Sequence, residues 1–301
     1  CVNRGVGAPW TIFNDQQDSI SQRDTGWIQI YCRDNQEIID TLIQAYRIAE
    51  IVKIPVMVCY DGFVLSHTMM PVEIPDAETV DAFLPPYHAH TILSPEDPRN
   101  INPVTFPWRR ADQDGVMCDG YMELRYKLQN ALEAAGETIA TVSRDFAERF
   151  GRDHGGLLWH YRTEDADVIL TGMGSIATEA TMAVDALREQ GIAAGVVGLR
   201  VYRPFPKAAV REAFRDARAI LVMEKDISYG YEGALCSDLK AAFYGTEISA
   251  PIHNVVAGLG GRDVKARELA EVTREILDRI AAGQPEGPTT WLNCRTDTLT
   301  E

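Results

Sequence analysis

Apolar and polar positions follow two different periods along the chain, and each change of period predicts a change of secondary structure. Residues 27–31 alternate in the manner of a strand. Residues 35–50 then carry apolar positions at helical spacing, and residues 54–60 form a short apolar run typical of a buried parallel strand. The first part of the chain therefore predicts a strand–helix–strand unit.

The same alternation becomes more regular from residue 166 onward. Four apolar segments predict strands and four segments of helical period predict helices between them. The strands are 168–171, 194–199, 219–224 and 252–257, and the helices are 175–190, 207–215, 233–244 and 264–282. Strands that alternate with helices favour a parallel sheet with right-handed crossovers. The predicted fold class is α/β, with two mainly parallel, doubly wound sheets.

The middle of the chain is less regular. Prolines are frequent between residues 85 and 116, which is typical of a linker, and a helical period returns over residues 119–150. We therefore expect a first domain over 1–95, a linker with a bridging helix over 96–165, and a second domain over 166–283. The tail, 284–301, is rich in Pro, Gly and Thr and is expected to wrap a neighbouring subunit or the surface.

Charge and apolar content limit the classes of function. The formal net charge is −15, which opposes nonspecific binding to nucleic acid or to an anionic membrane. No apolar run approaches the ~20 residues of a membrane span, and no signal peptide is visible. We expect a cytoplasmic protein.

Because the chain starts at Cys1 without a methionine, we also expect an N-terminal segment to be missing.

The six cysteines show no metal-binding pattern. No CxxC pair or Cys/His spacing suits a metal ion or an iron–sulfur cluster. We therefore predict no metal ligands in this chain, and we expect Cys59 and Cys236 to pack as small apolar side chains.

Three features follow predicted strands, where open α/β sheets bind ligands. The turn 172–175 could form a phosphate cradle, but position 177 is alanine and the full glycine pattern is absent; a tight turn capped by Ser175 is favoured. Arg200 and Arg203 could bind a ligand, although ion pairing with Glu224 or with a partner chain is favoured. The glycines of 258–261 could bind an anion, and tight packing between subunits is favoured.

Arg4 is the strongest single candidate for a substrate contact. If residues 1–4 end a strand, its guanidinium lies at the carboxyl edge of the sheet, where a planar and permanently charged fork suits a carboxylate. The alternative is an exposed terminal arginine. Nearby, Asp15, Asp18, Arg23 and Asp24 form either a solvated loop or an ion-pair network, and His67 is expected to be a structural hydrogen-bonding residue.

Ordered motifs over nearly the whole chain resemble one enzyme family. They are Asn3-Arg4, Ala8-Pro9-Trp10, Asn14-Asp15, Gln22-Arg23-Asp24-Thr25-Gly26-Trp27, Asp61-Gly62-Phe63, Ser66-His67, Gly172-Met173-Gly174-Ser175, Arg203-Pro204-Phe205-Pro206 and Gly258-Leu259-Gly260-Gly261. The chain is similar to alpha-type subunits of thiamine-dependent 2-oxoacid:ferredoxin oxidoreductases. This resemblance makes the first domain the second half of a thiamine pyrimidine-binding domain, and the second domain similar to the transketolase C-terminal domain.

The resemblance implies a reaction and a set of partners. Such enzymes convert a 2-oxoacid and coenzyme A to acyl-CoA and carbon dioxide, and electrons pass through [4Fe–4S] clusters to ferredoxin. Thiamine diphosphate and Mg²⁺ are held by a beta-type subunit, the clusters lie in beta- and delta-type subunits, and a gamma-type subunit completes the complex. In this family Arg4 corresponds to an arginine that holds the substrate. The thiamine-activating glutamate is expected upstream of Cys1.

One departure from the family pattern affects the expected substrate. Gly5-Val6-Gly7 replaces the more usual Ala-Leu-Ser or Ala-Leu-Ala after the arginine, which favours a 2-oxoacid bulkier than pyruvate, aromatic ones included. Two other functions remain open: a transketolase- or decarboxylase-like thiamine enzyme without electron transfer, and a non-catalytic assembly scaffold.

Overall fold

A computed structural model describes residues 1–84, 86–87, 107–111, 115, 117–285 and 287–299. Its strands are β1 (Val2–Asn3), β2 (Ile28–Tyr31), β3 (Val56–Asp61), β4 (Arg110–Ala111), β5 (Met117–Cys118), β6 (Leu158–Tyr161), β7 (Val168–Gly172), β8 (Ala194–Leu199), β9 (Val201–Arg203), β10 (Ala219–Glu224), β11 (Ile252–Val256) and β12 (Thr290–Trp291). Its α-helices are α1 (Gln17–Ile20), α2 (Asn35–Val52), α3 (Ala77–Phe83), α4 (Tyr121–Phe150), α5 (Ser175–Glu189), α6 (Lys207–Ala213), α7 (Ala234–Phe243) and α8 (Ala266–Ala281).

The first sheet contains four strands in the order β1-β3-β2-β9. β1 and β2 run parallel to β3, as the sequence predicts, and Val2 faces Tyr60 in the register. β9 was not predicted as a strand of this sheet. It follows β8 of the second domain directly, yet it pairs antiparallel with β2, with Arg203 opposite Gln29. The two sheets are therefore joined by a crossing of the chain immediately after β8.

The second sheet contains six strands in the order β12-β11-β10-β7-β8-β6. All pairings are parallel except that of β6 with β8. Helices α5 and α8 cover one face, and helices α6 and α7 cover the other. This is the doubly wound arrangement that the alternating pattern predicts. The tail adds β12 beside β11, so this part of it extends the sheet of its own chain.

Helix α4 is the predicted bridging helix and lies over the first sheet. Ile139 and Phe146 are fully buried on the face that packs against Ile28, Ile30 and Phe83. The helix ends at Gly151, whose φ of 69° lies in the left-handed region that glycine adopts at low cost. The proline-rich linker before it lies mostly outside the described residues, and the domain boundaries stay a prediction.

Cys59 and Cys236 are completely buried among apolar side chains, which confirms their expected packing role. Burial raises the pKa of the Cys59 thiol to about 12, so this thiol is protonated at neutral pH. All cysteine side chains that the structure describes are free thiols.

Candidate functional site

Arg4 lies directly after β1, at the carboxyl edge of the first sheet, where the sequence placed it. Its side chain passes Gly62, where an added Cβ would lie 3.4 Å from Arg4 Cγ and 2.4 Å from the main-chain oxygen of Asn3. Only glycine therefore leaves room for this approach. The Arg4 Nε atom is buried and has no hydrogen-bond partner among the described residues. A buried guanidinium donor without a partner is costly, and an anionic ligand would satisfy it.

Residues near α1 form a hydrogen-bonded network beneath Arg4. Asp18 Oδ2 accepts the main-chain N–H of Arg4 at 3.0 Å, and Asp18 Oδ1 accepts Asn3 Nδ2 at 2.8 Å. Ser19 Oγ lies 2.7 Å from the Tyr31 hydroxyl in the core of the sheet. Neither alternative from the sequence describes Asp18, which hydrogen-bonds to neutral groups and takes part in no ion pair among the described residues. Asp24 is 82% exposed and lies in a loose ion pair with Arg23.

An aromatic turn follows β3 beside Arg4. The Phe63 ring stacks on His67 with centroids 4.0 Å apart, and Phe13 lies 4.4 Å from Phe63. Ser66 Oγ accepts the Phe63 N–H at 2.9 Å and lies 2.8 Å from His67 Nδ1. Phe63 has a φ of 62°, a left-handed conformation that non-glycine residues adopt only at a cost. The sequence predicted a structural hydrogen-bonding role for His67, and its contact with Ser66 agrees with that role. The stacking of the rings was not predicted.

The glycine turn before α5 does not leave a free phosphate cradle, because Asp61 occupies it. Asp61 Oδ2 accepts the Ser175 N–H at 3.0 Å and Lys225 Nζ at 2.9 Å, and the Ser175 hydroxyl also donates to it. Gly174 is the N-cap and Ser175 the first helical residue, so the prediction that Ser175 caps the helix was wrong. The helix N-terminus instead binds a carboxylate from the other domain.

Several partners determine the ionisation of Asp61. Burial alone would raise the pKa of its carboxyl, but the charge of Lys225 and hydrogen bonds from Ser175, Lys225 and Gln16 hold that pKa below its usual value. Asp61 is therefore a buried carboxylate anion that connects the two domains.

The glycines of 258–261 pack against the first domain of the same chain, whereas the packing favoured from the sequence was between subunits and stays a prediction. The Gly261 N–H donates to the main-chain oxygen of Asn14 at 3.2 Å. A Cβ on Gly261 would lie 3.1 Å from Phe13 Cβ. The close approach is therefore made within this chain, between the loop after Arg4 and the second domain.

Arg200 and Arg203 form ion pairs within the chain, but not with Glu224, so that predicted partner was wrong; pairing with a partner chain stays a prediction. Arg200 pairs with Glu37 at 2.6 Å and Arg203 pairs with Asp238 at 2.8 Å. Glu224 accepts the N–H groups at the start of α7 instead, with the Leu235 N–H at 2.5 Å. The physical reason is distance along the chain: Glu37 is 163 residues before Arg200, and no local pattern indicates such a pair.

Two further properties concern the described residues only. They contain no group of three or more His, Cys, Asp or Glu side chains arranged to hold a metal ion. None of their helices has both the length and the apolar content needed to cross a bilayer.

Two family models match the two halves of the chain. Residues 1–143 match "Pyruvate flavodoxin/ferredoxin oxidoreductase, thiamine diP-bdg", and residues 166–269 match "Pyruvate:ferredoxin oxidoreductase core domain II". The first match ends within α4 and the second begins just before β7, so residues 144–165 lie between them.

Relatives from archaea cover nearly the whole chain. This chain is 38% identical over 296 residues to pyruvate synthase subunit PorA of Methanothermobacter thermautotrophicus, and the alignment spans 98% of this chain and 72% of the relative. It is 42% identical over 280 residues to PorA of Methanocaldococcus jannaschii, spanning 91% and 68%. It is also 37% identical over 295 residues to ketoisovalerate oxidoreductase subunit VorA of Pyrococcus horikoshii, spanning 98% and 72%.

The fold also resembles a solved structure of 2-oxoglutarate:ferredoxin oxidoreductase from Magnetococcus marinus, with a TM-score of 0.56 and 16% sequence identity. The alignment covers 91% of this chain and 47% of that chain. The chain thus spans about half the length of that structure. At this level of identity the comparison supports the fold alone.

Proposed function

The chain belongs to the alpha-type subunits of the 2-oxoacid:ferredoxin oxidoreductase family, and from this premise we propose that it acts in a multi-subunit complex in the cytoplasm. The complex would oxidatively decarboxylate a 2-oxoacid to acyl-CoA and carbon dioxide. Its electrons would pass through iron–sulfur clusters in partner subunits to ferredoxin or a similar acceptor. Relatives named as subunits of pyruvate and ketoisovalerate enzymes support the reaction class.

The observation that carries the site proposal is the unsatisfied guanidinium of Arg4. Its Nε is buried without a partner in the described structure, at the edge where the strands of a parallel sheet end. A 2-oxoacid offers a carboxylate next to its keto group, and a guanidinium binds a carboxylate through two parallel hydrogen bonds. We assign Arg4 to the substrate carboxylate, which would orient the adjacent keto carbon for reaction.

The residues of this chain fit the substrate end of a thiamine site and not its diphosphate end. Asp61 already fills the helix N-terminus that could have held a phosphate, and the described side chains offer no metal-binding group. Following the family resemblance, we propose that the diphosphate and Mg²⁺ are held by a beta-type subunit. Thiamine diphosphate, when bound, supplies the carbanion chemistry; this chain would bind and orient the substrate.

The loop after Arg4 bears on the size of the substrate. Gly7 has a φ of 85° and borders open space, with no atom within 4 Å of an added Cβ. Gly5 differs, because its Cβ would lie 2.8 Å from Thr11 Cγ2, so its small size serves the closure of the loop. The residues Gly5-Val6-Gly7 depart from the more usual family pattern, and on that departure we propose pyruvate or a bulkier 2-oxoacid as the substrate.

The experiment that tests this function is cofactor analysis of the complex that co-purifies with the chain. We expect thiamine diphosphate together with iron and acid-labile sulfide. Thiamine diphosphate without iron would favour a decarboxylase- or transketolase-like enzyme, and the absence of both would favour a scaffold. In the same complex, a turnover of pyruvate far above that of every larger 2-oxoacid would contradict the bulkier substrate.

Replacing Arg4 with alanine in the complex is expected to raise KM for the 2-oxoacid about 10- to 150-fold, because a charge-assisted contact contributes about 1.5–3 kcal/mol. Arg4→Lys is expected to impair binding as well, since an ammonium lacks the planar fork. Steady-state kinetics measures both effects. Arg215→Ala, an exposed arginine paired with Glu212, is the matched control, and an unchanged KM for Arg4→Ala would remove Arg4 from the site.

A further inference from the structure

The main chain at Arg4 is not held in place by its own strand. β1 has only two residues, and Arg4 follows it without main-chain pairing to a neighbouring strand in the assigned register. Because an arginine side chain is long, its guanidinium keeps a defined position only when the main chain that carries it is fixed. The contact that fixes this main chain comes from another element.

Asp18, on α1, is that contact. Its Oδ2 accepts the Arg4 N–H at 3.0 Å, and its Oδ1 accepts Asn3 Nδ2 at 2.8 Å and the Ser19 N–H at 2.6 Å. A carboxylate can accept all three because both of its oxygens are acceptors. An asparagine at this position would turn an NH₂ group toward at least one of the three donors.

The hydrogen bonds around Asp18 continue into the core of the first sheet. Asn3 Nδ2 also donates to Ser19 Oγ at 2.6 Å, and Ser19 Oγ lies 2.7 Å from the Tyr31 hydroxyl. Gln29 Nε2 donates to the Ser19 main-chain oxygen at 2.6 Å. Asn3, Ser19, Gln29 and Tyr31 are all at most 1% exposed. Asp18 therefore connects Arg4 to side chains that packing holds in place.

The contact with Asp18 leaves the charge of Arg4 available. Asp18 accepts the main-chain N–H, and in the described structure the Arg4 guanidinium takes part in no ion pair. An aspartate that neutralised the guanidinium would compete with a substrate carboxylate, whereas one that holds the main chain does not.

We propose that Asp18 is a positioning residue for substrate binding, which holds the Arg4 main chain so that the guanidinium meets the 2-oxoacid carboxylate. This inference rests on the proposed function, in which Arg4 binds that carboxylate. Asp18 contacts Arg4 rather than the substrate, so its effect on binding passes through Arg4.

The test is Asp18→Asn in the complete complex, studied by steady-state kinetics. We expect KM for the 2-oxoacid to rise about tenfold, with kcat within about threefold and KM for coenzyme A unchanged. Thermal unfolding of the complex should remain close to that of the wild type. A general structural defect would lower kcat and raise both KM values, and that result would overturn the proposal.

A double-mutant cycle separates this inference from the function beneath it. In an Arg4→Ala background, Asp18→Asn should add no further rise in KM, because its effect passes through Arg4. If Arg4→Ala itself leaves KM unchanged, the proposed function of Arg4 fails. If Arg4→Ala raises KM but Asp18→Asn does not, only the role of Asp18 fails.

Two further variants complete the design. Asp24→Asn removes an exposed carboxylate from the same segment and should leave KM unchanged. Asp18→Glu keeps the charge but moves the acceptor oxygens by one methylene, so KM should rise here too. If Asp18→Asn does not assemble, a wild-type KM in Asp18→Glu overturns the proposal.

Discussion

Replacing Lys225 with methionine is expected to lower the free energy of unfolding by about 3–5 kcal/mol, because it leaves a buried carboxylate without its counter-charge. Asp61 is completely buried and Lys225 is 5% exposed. Lys225 Nζ donates to Asp61 Oδ2 at 2.9 Å and to Ser175 Oγ at 2.8 Å. Chemical denaturation followed by tryptophan fluorescence measures the change.

Two further variants test whether the loss of stability in Lys225→Met comes from the uncompensated charge of Asp61. Lys127→Met removes the lysine of an exposed pair with Asp119, and little change is expected because such pairs are screened by water. The double variant Asp61→Asn/Lys225→Met should recover part of the loss, since the buried charge is then gone. A Lys225→Met variant as stable as Lys127→Met would show that Asp61 is not desolvated.

The pH dependence has a defined sign. The pKa of Asp61 is lowered in the folded protein, so the stability that this carboxylate contributes is present above its unfolded pKa of about 3.9. That stability is lost as pH falls through the lower, folded pKa. In Lys225→Met, no positive charge opposes the effect of burial on the pKa of Asp61. The Asp61 carboxyl therefore takes up a proton more readily. The stability difference between the two proteins should therefore shrink in acid.

The regular part of the fold was predictable because its signals are local. β8 and β10 begin and end at the residues that the apolar runs indicate, and α5 differs from its predicted end by one residue. Fully buried strands of a parallel sheet are continuous apolar runs, and their ends are marked by turn residues. β9 was not predicted because it has only three residues and directly follows a long strand. Three residues are too few to show a separate pattern of apolar and polar positions.

The candidate site was only partly predictable. The position of Arg4 at the end of a strand follows from the local pattern, and the structure places it there. Its unpartnered Nε and its contact with Asp18 depend on how separate elements pack. Asp61 and Lys225 are 164 residues apart in the chain, so no spacing rule connects them. Polar pairs of this kind become visible only when the two sheets are placed together.

Arg200→Met is expected to destabilise the protein by a similar amount, about 3–5 kcal/mol. Arg200 and Glu37 are both fully buried and lie 2.6 Å apart. The same guanidinium donates to Thr41 Oγ1 at 2.9 Å and to the main-chain oxygen of Gly156 at 2.9 Å. Removing it leaves the buried Glu37 carboxylate with the Arg33 main-chain N–H as its remaining hydrogen-bond donor and leaves two other acceptors without their donor, and urea denaturation measures the cost.

Arg200 lies where the chain leaves β8 for β9, so its contacts secure the crossing between the two sheets. Arg200→Lys should fall between the wild type and Arg200→Met, because one ammonium can reach Glu37 but cannot span three separate acceptors. Arg218→Met is the control: Arg218 is 79% exposed in its pair with Asp167, and little change is expected there. Equal stabilities for Arg200→Met and Arg218→Met would mean that the Glu37 carboxylate finds water or another donor. The crossing would then be held by the main-chain pairing of β9 with β2 and by apolar packing.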